Sequence, residues 1–161
     1  MRRFVPWLLA VTTAAAAPWG GASPLAHPDF SGTWNLDPAK SEGPMVPTSS
    51  TLKITQTDKS MAIERTTTAM GMTRTAHVNY ALDGSVSKNT VSANGANVDF
   101  NSTAEWSDNV LVIKTTADLG GAPFSGTERY SLSDDKKTLT LANEASVGGQ
   151  AVSGKLTFVK Q

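Results

Sequence analysis

Phe30-Ser31-Gly32-Thr33-Trp34-Asn35-Leu36-Asp37 is the stretch on which the reading of this chain turns. Gly32 lets another backbone approach closely, or lets a strand bend sharply. Trp34 supplies a large apolar plug whose indole N–H needs an acceptor. A tryptophan opening a first strand can close one end of a β-barrel. Gly32 and Trp34 are therefore read as structural residues, with Trp34 at the closed end.

Downstream, apolar and polar residues alternate in short runs, the mark of strands with one buried face. Leu52 and Ile54 open one run, and Met61 and Ile63 the next, after the turn Asp58-Lys59-Ser60. Ala76, Val78, Tyr80 and Leu82 share a face before Asp83-Gly84, which reads as a tight turn, as does Asn94-Gly95. Val98, Phe100, Ala104 and Trp106 form another face, with Ser102 on it. Val110 to Ile113 is a more continuous apolar run. Phe124, Gly126, Glu128, Tyr130 and Leu132 alternate again, and Leu139, Leu141, Val152, Leu156 and Phe158 complete the series. No proline lies between Pro47 and Pro123, as the interior of a meander requires. The expected fold is all-β, an antiparallel up-and-down barrel of about 8–10 strands. Its last strand, with Leu156 and Phe158, closes against the first. The one helical candidate is a single turn at Pro38, capped by Asp37.

At 161 residues with 14 basic and 14 acidic side chains, the chain is one domain with no electrostatic case for nucleic acid or anionic membranes. Cysteine is absent, which excludes disulfides, thiolate catalysis and zinc–thiolate sites. Residues 1–26 read as a secretory signal peptide. Arg2-Arg3 precede an apolar stretch from Phe4 to Ala17, and small residues follow around Gly20-Gly21-Ala22. Cleavage after Ala22 or Ala26 would leave a domain over 27–161, periplasmic or secreted, with no stable membrane insertion and monomeric.

The opening string, with the later Glu105-Trp106 and Glu128-Arg129-Tyr130 strands, resembles the lipocalins and fatty-acid-binding proteins, and within that class the exported bacterial lipocalin-like proteins of unassigned function. The resemblance covers most of residues 29–161. It implies a calycin-type barrel that holds a small molecule. It also implies an arginine near the last strands packed on the first-strand tryptophan, a role that falls in order to Arg129. Strand parity, however, puts Arg129 on the face opposite Glu128 and Tyr130. The Arg-x-Tyr carboxylate anchor of fatty-acid-binding proteins has no match, because Arg129 and Tyr130 are adjacent.

Arg65 shares parity with Met61 and Ile63, and Glu128 with Phe124 and Tyr130. A charge inside a small barrel needs a partner, so Arg65 and Glu128 form a candidate internal pair and polar anchor. The alternative is that they sit near strand ends in water. Most aspartates fall in turns. His27 should be a disordered terminus and His77 exposed; no serine has a His/Asp context, so no catalytic residue is assigned. Met70-Gly71-Met72, with Met45 elsewhere, has the soft sulfur that suits Cu(I), but reads better as an apolar loop at the barrel mouth. No metal or other cofactor is expected.

The expected function is an exported, non-enzymatic binding protein holding a small, mostly apolar molecule. Ile63, Arg65, Val78, Tyr80, Phe100, Glu128 and Tyr130 are the candidate lining. The alternative is an extracytoplasmic structural or interaction domain with a filled core, and the presence of a cavity discriminates between them.

Overall fold

The computed structural model describes residues 27–93 and 96–161. The signal-peptide expectation for residues 1–26 and the Asn94-Gly95 turn lie outside the described residues. Ten strands follow one another: β1 (Gly32–Leu36), β2 (Ser49–Gln56), β3 (Ser60–Ala69), β4 (Met72–Ala81), β5 (Ser87–Ala93), β6 (Ala96–Ser107), β7 (Val110–Asp118), β8 (Pro123–Leu132), β9 (Thr138–Val147) and β10 (Gln150–Lys160). They form a single antiparallel sheet in the order β4-β3-β2-β1-β10-β9-β8-β7-β6-β5. Each strand thus pairs with its chain neighbour, and β10 returns to β1, with Phe158 opposite Leu36 and Lys160 opposite Trp34. The result is an up-and-down barrel closed everywhere except between β4 and β5.

That gap corrects one expectation. Asp83-Gly84 does turn, but no backbone ladder joins the strands on either side. Side chains of β5 stand in for it. Asn89 accepts from the Asn79 backbone N–H (2.7 Å) and donates to the Asn79 carbonyl (3.0 Å). Ser87 Oγ accepts from the Ala81 N–H (2.8 Å). An amide side chain offers one donor and one acceptor, as a peptide unit does, so Asn89 makes the bridge that a strand partner would make.

The short helical turn is present at Pro38–Lys40, with the Asp37 carboxylate accepting from the Ala39 N–H at 3.2 Å. The chain then runs along β10 in the position a longer β1 would take. Glu42 and Lys155 exchange backbone hydrogen bonds of 2.7 and 2.8 Å. A Cβ on Gly43 would sit 2.9 Å from the Gly154 Cα, and Gly43 has φ +124°, so the crossing admits no side chain.

Because adjacent strands run antiparallel, the β1–β2, β3–β4, β7–β8 and β9–β10 connections share one end. The other end carries the residues leading into β1. There the inward positions are large and apolar: Phe30, Trp34, Leu52, Met61, Ile63, Leu111, Ile113, Leu139, Leu141 and Phe158 are fully buried. Trp34 is their centre, and its Nε1 donates to the Phe30 carbonyl at 2.8 Å. Burying an aromatic of this size contributes several kcal/mol, at about 25 cal/mol per Å².

Two expectations about this end are corrected. The cation over the Trp34 indole is Lys160, 5.1 Å from the ring centroid. Arg129 points outward, as its parity requires, and pairs with Glu144 at 3.2 Å. Gly32 (φ +133°) makes the Lys160 arrangement possible, since a Cβ there would meet the Lys160 Cε at 3.0 Å. His27 is placed: its ring stacks on Trp106, centroids 4.4 Å apart and planes within 7°. Phe30 stacks on the same indole at 5.8 Å. Trp106, at the end of β6, offers an apolar face that the incoming chain covers.

Candidate ligand-binding site

Moving along the barrel away from Trp34, the inward positions change character. On β3 the series Met61, Ile63 is followed by Arg65. On β8 Tyr130 is followed by Glu128, Gly126 and Phe124, and on β9 Leu141 by Asn143 and Ala145. Small and polar side chains here leave a cavity of about 300 Å³. Its walls include Ala76, Val78, Tyr80, Asn89, Val91, Phe100, Ser102, Thr115, Phe124, Asn143 and Ala145, with Arg65 and Glu128 among them. Phe100 and Phe124 meet edge to face, centroids 5.8 Å apart, and form an aromatic section of wall.

The polar floor is built from residues far apart in sequence. Arg65 Nη1 donates to Glu128 Oε1 at 3.1 Å, and Nη2 donates to Glu128 Oε2 at 3.4 Å. Arg65 Nη2 also donates to the Tyr130 hydroxyl at 2.8 Å, which in turn donates to Glu128 Oε2 at 2.9 Å. The guanidinium and carboxylate therefore meet as a two-pronged pair with a phenol bridging one side. Their side chains keep 30% and 25% exposure; both line the cavity, so the pair is reached from inside the barrel. The charges answer each other. Glu128 holds the Arg65 guanidinium firmly protonated. Burial, reinforced by Glu128, pushes the Tyr130 phenol well up and the Tyr80 phenol up too.

Of the seven candidate lining residues, Arg65, Val78, Tyr80, Phe100 and Glu128 line the cavity. Ile63 does not. It is 2% exposed and belongs to the apolar core beneath the floor. Its parity is inward as read, but its depth along the barrel puts it on the filled side. Tyr130 is also fully buried, and reaches the site through its hydroxyl alone. Ala76, Gly126, Asn143 and Ala145 were legible by parity with residues already read as inward. Asn89 and Val91 were not, because β5 (SKNTVSA) carries no run of alternating apolar residues.

Met70-Gly71-Met72 forms the β3–β4 turn at the end of the barrel away from Trp34, and none of the three lines the cavity. Met45, Met70 and Met72 are exposed there, with Val147 and Val152 at the strand ends nearby in topology. Met70 is 94% exposed. His77 faces outward beside Glu64, Nδ1 3.8 Å from its carboxylate. Among the described residues no group of three or more His, Asp or Glu side chains could hold a metal ion. No described helix is long and apolar enough to cross a membrane.

No family model matches the chain, and no curated protein matches it. Among solved structures it is similar to a secretory abundant heat soluble protein from Ramazzottius varieornatus, at 12% identity and a TM-score of 0.56, over 82% of this chain and 95% of that one. It is similar as well to zebrafish ileal bile acid-binding protein, solved with cholic acid, at 14% identity and a TM-score of 0.55, over 82% and 98% of the two chains. Secretory abundant heat soluble protein 4 from Ramazzottius varieornatus follows at 14% identity and a TM-score of 0.51, over 81% and 94%. At such identities the likeness is one of fold. The fold they share with the described residues is all-β, with ten antiparallel strands in a nearly closed up-and-down barrel.

Proposed function

We propose that this protein is an exported binding protein that holds a small, mostly apolar molecule in the open half of its barrel. The observation that carries the reading is the cavity of about 300 Å³ above the Arg65–Glu128 floor, at the small end of the range for ligand sites. A domain with a wholly filled interior would continue the Leu and Ile packing to both ends. Instead the chain places Ala76, Gly126 and Ala145 where large residues would fit. The zebrafish protein of like fold was solved with cholic acid, so a barrel of this architecture has room for a small organic molecule. Nothing in the floor supplies an activated nucleophile, which favours holding over transformation.

The test is Ala145→Trp, which fills the cavity from β9. The parent protein should bind a neutral polarity-sensitive dye saturably, and the variant should lose that binding while keeping its β-sheet circular dichroism. No saturable binding by the folded parent, or equal binding by the folded variant, would refute the reading. Export is supported by the order of charge, apolar run and small residues in residues 1–26. Intact mass of the protein recovered outside the cytoplasm should show the shortened chain; a full-length chain retained inside cells would count against it.

A further inference from the structure

The floor of the cavity has a charge balance that restricts what can lie on it. Arg65 is the one cationic side chain among the described lining residues. Both of its terminal nitrogens are already engaged, by the two Glu128 oxygens and by the Tyr130 hydroxyl. Glu144 also borders the cavity, but its carboxylate is turned outward to Arg129. The interior therefore offers no unmatched positive charge to an entering anion. It offers no unmatched negative charge to a cation either, since both Glu128 oxygens are bonded. Bringing an ion here means burying it without a partner or breaking the Arg65–Glu128 pair.

A second observation points to the complementary group. Asn143 Oδ1 is buried in the wall and has no hydrogen-bond partner. An unsatisfied buried acceptor is costly; Oδ1 lies on the Gly154 side of the wall, 3.1 Å from where a Gly154 Cβ would stand, and a turn of the amide presents it to a donor in the cavity. A carboxylate has no hydrogen to give. The cavity volume of about 300 Å³ equals that of about ten water molecules at liquid density, which sets a ligand of about ten heavy atoms.

We infer that the cavity selects an uncharged, mainly apolar molecule carrying a hydrogen-bond donor, of the alcohol or amide class, over the carboxylate or amine of equal length. The inference rests on the cavity-binding reading above and adds the polarity of the ligand to it.

Calorimetric titration of the purified protein with decanol, decanoate and decylamine tests it. Decanol should bind about tenfold or more tightly than either ion, the consequence of burying a charge without a partner. Glu128→Gln removes the internal counter-charge and leaves Arg65 unanswered. In that variant decanoate should gain about tenfold or more in affinity while decylamine gains nothing, since only the anion can use the freed guanidinium. Decanoate binding as tightly as decanol in the parent protein would overturn the inference and leave the cavity reading standing. No binding of all three, and none of the neutral dye, would overturn the cavity reading and this inference with it. If Glu128→Gln fails to fold, the parent comparison alone decides.

Discussion

Tyr80 and Tyr130 are the only tyrosines in the chain, and both belong to one site, Tyr80 in the cavity wall and Tyr130 beneath the floor. Burial and the nearby Glu128 carboxylate raise both phenols above the ordinary value of about 10. The sign of the linkage follows. Above about pH 10 the unfolded chain sheds phenolic protons that the folded protein keeps, so stability falls as pH rises further. In an alkaline titration, phenolate absorbance should appear only together with loss of the near-ultraviolet circular dichroism. A phenolate step near pH 10 in protein that is still folded would show that neither ring is buried as described. At this scale the inward residues were readable in advance. Arg65, Glu128 and Tyr130 point inward because side chains alternate strictly along a strand. Shared inward parity, with the need of a buried charge for a partner, also named Arg65 and Glu128 as a candidate pair; the bridging Tyr130 hydroxyl was not readable from it, nor was the partner of outward-facing Arg129, Glu144 on the neighbouring strand β9.

Among the elements, β5 departs most from the pattern that identifies the others. Its inward side chain Asn89 is 8% exposed and holds β4 across the open seam. Asn89→Ala would leave the Asn79 N–H and carbonyl without these partners, at a cost of about 1–3 kcal/mol if water does not fully replace them. Denaturant unfolding should report that loss, and amide exchange should speed at Asn79 and Ala81 while β8 and β9 keep their protection. Unchanged stability and exchange would mean that the seam is held by other contacts. The element resisted sequence reading for the same reason that it matters. A strand whose inward polar groups replace a backbone ladder has no need of alternating Val and Ile.

The whole molecule is polar along its axis, with a filled apolar half around Trp34 and a hollow half lined by small and polar residues. Protection against amide exchange should follow that axis. Ile54, Ile63, Leu111 and Leu141, all buried, should exchange only by global unfolding. Val147 and the residues leading to Val152, where both side chains are exposed, should exchange through local opening. Uniform protection from end to end would contradict the division into a core and a cavity.

The strands, their inward faces and the large residue that plugs one end are properties of short stretches of chain, and the sequence by itself determined them. Alternation is a local rule with a period of two residues, so neighbours in the chain suffice to read it. Only the tertiary structure decided how deep each inward residue lies. Ile63 and Arg65 differ by one inward step, yet one is core and the other is cavity floor. Depth depends on the stagger of strands around the barrel, and that stagger decides whether the candidate pair of Arg65 and Glu128, 63 residues apart, comes within bonding distance. Closure also set Lys160 rather than Arg129 over Trp34, because the last strand, paired to β1, brings it there. These placements come from pairing between distant segments, which no local pattern of side chains encodes.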